Sequence, residues 1–221
     1  MLKVFLLTPI IFTTFYVHSI SLEQTFYKES KKTVAESDIG EHLSDLAILS
    51  SQCESVCELG TRSMVSTVGI LYGLSQNNKK KQYFGFDLDT PPVNVLKQIK
   101  NLANSKKIEF HFTQGDDRYL DIPQVDMIFI DTLHTYKQLS YELEKFHSKA
   151  NKFIALHDTS EPWGDQDEPV YFQNNFIYPQ WIDSSKQGLW AAVQDFLDRH
   201  PEWDLQLRKF NCHGFTVLKR K

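Results

Sequence analysis

The chain is predicted to be an α/β protein, a doubly wound and mostly parallel sheet of about seven strands with a C-terminal hairpin. Three observations carry this. Short apolar runs, "SVCEL", "QYFGFD", "IEFHFT", "VDMIFID" and "KFIALHD", recur along the chain. Stretches with helical spacing separate them, and near-continuous apolar strands alternating with helices imply a sheet covered on both faces. At the C-terminal end "WDLQLRKF" and "HGFTVLKR" follow one another without a helix between them, which fits two strands of a hairpin.

In order, residues 1–21 differ from the rest. Lys3 precedes an apolar run from Val4 to Phe12 that continues less purely to Val17, and "VHS" offers small-residue cleavage chemistry after Ser19. This is the pattern of a secretory signal peptide, or of an N-terminal membrane anchor if uncleaved, and residues 22–221 then form a single domain. "TVAESDIGEHLSDLAILSSQ" is predicted to be a helix, with Asp38 as N-cap, Glu41 three residues on, and Ile39, Leu43, Leu46 and Ala47 on one face. The strand "SVCEL" leads to a helix over 62–75, "QYFGFD" to a helix over 92–104 with Pro at its start, and "VDMIFID" to a helix over 135–149. After "KFIALHD", residues 159–187 break the rhythm. This stretch holds Trp163, Tyr171, Phe172, Phe176, Tyr178 and Trp181 without periodicity and is longer than a plain connection, so it is read as a lid-like insertion. A helix over 189–199 ends before Pro201.

Hydrophobic residues at 41% and charged residues at 24% describe a folded chain. The net charge of -4, with Lys79-Lys80-Lys81 as the longest basic run, gives no expectation of nucleic acid binding. Cys53, Cys57 and Cys212 make no metal pattern and no CxxC, and are read as buried thiols.

Each of the first five strands finishes with a carboxylate: Glu58, Asp87, Asp116, Asp131 and Asp158. Ligands of an open parallel sheet bind beyond the carboxyl ends of its strands, so these acids point toward one rim, although Asp also commonly opens a helix as N-cap. A pyrophosphate at the first turn would be repelled by Glu58 in "ELGTRSMVST", whereas a sulfonium with an α-ammonium would be attracted. One glycine then suffices for the turn, and Asp87 suits a ribose diol.

The motifs "ELGTRSMVST", "FGFDLD", "GDD", "DMIFIDTLHTY" and "FIALHDT", in this order and spacing, resemble the class I S-adenosylmethionine-dependent methyltransferases with their Rossmann-like sheet. They resemble most closely the small-molecule branch (methyltransferase domain 24-like) with "E-[IL]-G-[TV]-R-x-x-[VS]-S-T" followed by "F-I-D-x-x-H-x-Y". The resemblance covers roughly residues 37–218. It implies that Glu58, Gly60, Thr61 and Ser63 line the methionine end of the cofactor, that Asp87 holds the ribose, and that Asp116 and Asp117 lie near the adenine. Arg62 could pair with the cofactor's carboxylate.

"IDTLHTY" and "ALHDT" bring Asp131, His134, His157 and Asp158 to neighbouring loops. His134 with Asp131 is the candidate catalytic pair, His134 as base, against the alternative that His134 hydrogen-bonds the following helix. Related small-molecule methyltransferases often hold a divalent cation at this place, which makes Asp131, His157 and Asp158 candidate ligands. Magnesium prefers oxygen, while the imidazole suits manganese, iron or zinc better. The expected activity is methylation, at oxygen, of a small-molecule or saccharide acceptor. The alternatives are a non-haem metal-dependent hydroxylase on the same fold, using two His and a carboxylate, and a secreted non-catalytic binding protein.

Overall fold

The computed structural model describes residues 20–169 and 176–221. The leader pattern through Ser19 and the aromatic pair Tyr171 and Phe172 lie outside them. Among the described residues, no helix is long and apolar enough to cross a membrane.

Six helices and seven strands are described. In chain order they are α1 (Leu22–Glu29), α2 (Leu43–Ser50), β1 (Ser55–Leu59), α3 (Val65–Ser75), β2 (Lys81–Asp87), α4 (Val93–Ser105), β3 (Ile108–Gln114), β4 (Val125–Ile130), α5 (Tyr136–Phe146), β5 (Ala150–His157), α6 (Leu189–Arg199), β6 (Trp203–Lys209) and β7 (Phe215–Arg220). The sheet order is β3-β2-β1-β4-β5-β7-β6. The first five strands are parallel, while β7 runs antiparallel to both β5 and β6. The order reverses between β1 and β4, and that switch point opens a crevice at the carboxyl ends of the strands.

The pleat sorts residues between the two faces. Val56 of β1 with Met127 and Phe129 of β4 packs under α1 to α4, together with Leu43, Leu71 and Leu102. Cys57 and Leu59 with Ile128 and Ile130 packs under α5 and α6, together with Leu139, Val193 and Phe196. Cys53, Cys57 and Cys212 are free and buried, as read from sequence. Burial pushes the Cys53 thiol up to about 12, so it is an inert filler.

Two helix starts differ from the sequence reading, one helix is additional, and α5 gives way at Phe146 to a 3-10 turn, His147–Lys149. The helix expected to begin at Asp38 starts instead as a short 3-10 turn, Gly40–His42, whose N-cap Ile39 has no side-chain cap, and α2 continues from it. Asp38 is drawn off by Arg62, 3.2 Å away, and its carbonyl accepts from Cys212 Sγ. The helix after β1 begins at Val65, because Arg62 and Met64 take positive φ values of 43° and 64° to turn the chain. α1 was not anticipated. It is capped by Ser21 and Gln24 in a reciprocal capping box and seated by Leu22, which is buried, and by Phe26, which stacks on Tyr72 of α3 at 4.1 Å.

Candidate active site

Gly60 makes the crossing at the switch point. Its φ is +83°, and a Cβ there would stand 1.9 Å from the Asp131 carbonyl, so no other residue fits where the β1 and β4 loops pass. The Gly60 N–H donates to the Phe86 carbonyl, and Asp131 N–H to Leu59, which ties three strand ends together. Asp87 fixes the next two residues. Its Oδ2 accepts from the backbone N–H groups of Thr61 at 2.7 Å and Arg62 at 2.6 Å, and from Thr61 Oγ1 at 3.3 Å. The acid expected to hold a ribose therefore also clamps the glycine turn.

Two adjoining cavities open along this rim. The first, about 220 Å³, is lined by Gly60, Asp87, Asp116, Asp117, Asp131 and Gln138, with Arg62 at its edge. The second, about 290 Å³ and more polar, takes in Thr61, Arg62, Ser63 and the segment from Lys32 to Ile39. Gly60, Arg62 and Asp131 belong to both. The structure thus brings together all the predicted cofactor-binding residues except Glu58.

Glu58 needs correcting. It shares the pleat side of Val56, so its carboxylate points into the layer under α3, fully buried, where Ser66, Thr67 and Tyr83 donate to it. It lines neither cavity. Burial, against those three hydrogen bonds, pushes its pKa up to about 7. Arg62 lines both cavities, and its side chain, 82% exposed, reaches Asp38 on the wall of the second.

The first cavity is anionic. Its one lining cation besides Arg62 is Arg118, which is bound in a fork by Asp116 through Nε at 2.8 Å and Nη2 at 2.6 Å. Behind it, Gln138 donates to Asp117 Oδ1 at 3.3 Å and to Glu142 Oε1 at 2.6 Å, and Tyr178 OH donates to Gln138 at 2.7 Å. Burial and the charge of Asp117 push the Glu142 carboxyl well above its usual range, so this floor is proton-bearing. Gln138 and Glu142 lie one turn apart on α5 and carried no signal in a reading that looked only at strand ends.

Beside Asp131 lies the second set of predicted residues. His134 Nε2 is 2.9 Å from Asp158 Oδ2 and 3.7 Å from Asp131 Oδ1, and His157 Nδ1 is 3.0 Å from Asp158 Oδ2 and 3.6 Å from Asp131 Oδ2. Asp131, His134 and Asp158 each present one ligand atom, all within 4.8 Å of one another, so His134 takes the place expected of His157 in the candidate ligand set. His157 Nε2 faces the Cys212 carbonyl at 3.1 Å. The insertion adds two residues that sequence reading missed as site members: Glu168, with Oε2 3.0 Å from His134 Nδ1, and Trp163, stacked on the His134 ring at 5.9 Å. Asp167 Oδ1 accepts from Tyr136 N–H and Gly188 N–H, which pins this insertion to the start of α5.

Charge in the cluster is strongly biased. Although burial works against it, hydrogen bonding to Asp131 and Asp158 raises His134 to about 10, and His157, against its own burial, is raised by the same two acids. Against its burial, Asp158 is held well below the carboxylate range by His134 and His157. The two acids thus favour the protonated form of His134.

Residues 57–159 match the family described as a methyltransferase domain. No curated protein matches the chain in sequence. Among solved structures, it is similar to the SAH-bound methyltransferase PaMTH1 of Podospora anserina, with 14% identity, 90% of this chain and 87% of that one covered, and a TM-score of 0.53. It is also similar to the O-methyltransferase TomG of Streptomyces achromogenes in complex with SAM, with 12% identity, 90% of each chain covered and a TM-score of 0.53. Cofactor-bound Rv0187 from MTB gives 15% identity, 90% and 87% coverage and a TM-score of 0.56. The chain thus has the fold of the class I methyltransferases, with a methyltransferase domain matched over residues 57–159.

Proposed function

We propose that this protein transfers a methyl group from S-adenosylmethionine to an oxygen of a small-molecule or saccharide acceptor. The observation that carries the reading is the first cavity. It lies at the switch point, and Asp87, Asp116, Asp117 and Asp131 line it while the half-buried Arg118 is neutralised in place by Asp116. Such a surface repels phosphate and favours a sulfonium and an ammonium. The donor's adenosine would lie between Asp87 and the Asp116–Asp117 turn, with its methionine end toward Gly60 and the second cavity.

The acceptor then sits on the far side of Asp131, against His134, with Trp163 and Glu168 beside it. Its oxygen attacks the methyl carbon in line, the carbon–sulfur bond breaks, and the sulfur leaves as a neutral thioether. Asp131, kept ionised against its burial by His157 and His134, receives the hydroxyl proton. Protonated His134, held by Asp158 and Glu168, steadies the negative charge developing on the acceptor oxygen.

The same residues fit a divalent cation. His134 Nδ1 and His157 Nδ1 are buried 3.0 Å from Glu168 Oε2 and Asp158 Oδ2 without well-aligned hydrogen bonds, so a cation would compete with their protons for these carboxylates. Asp131, His134 and Asp158 would hold the ion, manganese or iron more readily than magnesium, in place of the proton on His134. When bound it supplies a positive charge beside the acceptor oxygen.

Methyl-labelled donor incubated with a panel of hydroxylated small molecules, with and without manganese, tests the reading. Label should appear in a low-mass product. Asp158→Asn, which lines neither large cavity, should slow transfer by about 100-fold or more while leaving donor affinity in place. Turnover unchanged in that variant would remove the cluster from the chemistry. Oxygen uptake with iron, independent of the donor, would favour the hydroxylase reading, and neither activity would leave the binding protein.

A further inference from the structure

A second cluster of histidines and acids lies on the edge of the sheet opposite the rim, where α5 and α6 end. Glu144 and His147 stand three residues apart as α5 gives way to the 3-10 turn His147–Lys149, His200 is the C-cap of α6, and Glu202 precedes β6. Glu144, His147 and His200 each present one ligand atom, all within 4.8 Å of one another. None of them takes part in the site described above.

The details are those of a metal centre with an outer partner. His200 Nε2 faces Glu144 Oε2 at 3.0 Å, while its Nδ1 is 3.2 Å from Glu202 Oε1. Ligands held about 2.0 to 2.2 Å from a tetrahedral zinc ion stand roughly 3.3 Å apart, so the first spacing suits a shared ion. A ligating histidine commonly donates its other N–H to a carboxylate, the place that Glu202 occupies. The His147 ring lies 4.2 Å from the His200 ring, and its Nδ1 is buried without a hydrogen-bond partner, 3.6 Å from Glu202. Arg199 pairs with Glu144 Oε2 at 3.6 Å from an exposed position, at the outer side of the oxygen that faces His200, while Arg220 donates to the His147 backbone carbonyl and leaves the imidazole nitrogens to the cluster.

We propose that Glu144, His147 and His200 form a structural site for a zinc-class divalent ion that joins the ends of α5 and α6 to the start of β6, with Glu202 orienting His200. Two imidazoles and a carboxylate select zinc over magnesium or calcium. The site is independent of the methyl-transfer reading, being on the opposite edge.

Equilibrium dialysis of the full chain against zinc chloride, counting zinc per chain, tests it. Because the rim cluster could also take zinc, the comparison is between wild type, Asp158→Asn, and the double variant His147→Asn with His200→Asn. The double variant should bind one zinc fewer than wild type, and in the Asp158→Asn background, where the rim cluster is disabled, zinc should raise the thermal midpoint with His147 and His200 in place but not with both replaced by Asn. Glu202→Gln, at a half-exposed position that leaves the fold alone, should weaken zinc roughly 10- to 100-fold. Equal zinc counts in wild type and the double variant, or unchanged affinity in Glu202→Gln, would overturn the proposal and leave a histidine–carboxylate hydrogen-bond network.

Discussion

Gly60 decides what the rim can be. The single glycine of "ELGTRSMVST" is required because its positive φ coincides with a contact that leaves no room for a Cβ. Gly60→Ala should cost about 3 kcal/mol or more, the sum of left-handed strain and forced separation of two loops, measured by urea unfolding. A loss under about 0.5 kcal/mol, the scale of a neutral surface change, would mean the β1 and β4 loops do not cross as described. The glycine could be found in sequence because only one residue type tolerates that conformation. Arg62 could not be placed, because its side chain follows the unanticipated position of Asp38.

At the scale of elements, strand and helix order was legible because periodicity records which faces are buried. Strand periodicity also holds the reason Glu58 was misplaced. A residue inside a strand points to one layer or the other, and the rim is reached from the last position of a strand or beyond it, so Glu58, one short of the end of β1, goes with Val56 while Asp87 and Asp131 turn into the cavities. The consequence is thermodynamic. Glu58 titrates near 7 when folded, against a reference of 4.5, so it binds its proton more tightly in the fold. Its stabilising contribution is fully present below about pH 4.5 and lost as pH rises to about 7, a change of about 3 kcal/mol. Glu58→Gln should flatten the stability curve across that window, read from urea midpoints at a series of pH values. An unaltered slope would show that another group carries it. α1 escaped the reading because its eight residues show no long periodic stretch, and its position comes from the stack of Phe26 on Tyr72, a contact between elements that no local pattern encodes.

For the whole molecule, the site is assembled from the ends of β1, β2, β3, β4 and β5, with Trp163, Asp167 and Glu168 of the segment after β5 set against the start of α5. Acids at strand ends could be found from sequence because topology gathers them on one rim. Glu168 and Trp163 could not, since an insertion without periodicity gives no clue to which of its residues faces inward. The account rests on the anionic cavity being a donor site. Calorimetric titration of the protein with S-adenosylmethionine, in the presence and absence of manganese, tests that most directly. One donor should bind per chain with a dissociation constant on the order of micromolar, about −8 kcal/mol, and Asp87→Asn should weaken it by about 1 to 3 kcal/mol. Binding of the metal with no heat from the donor would contradict the account.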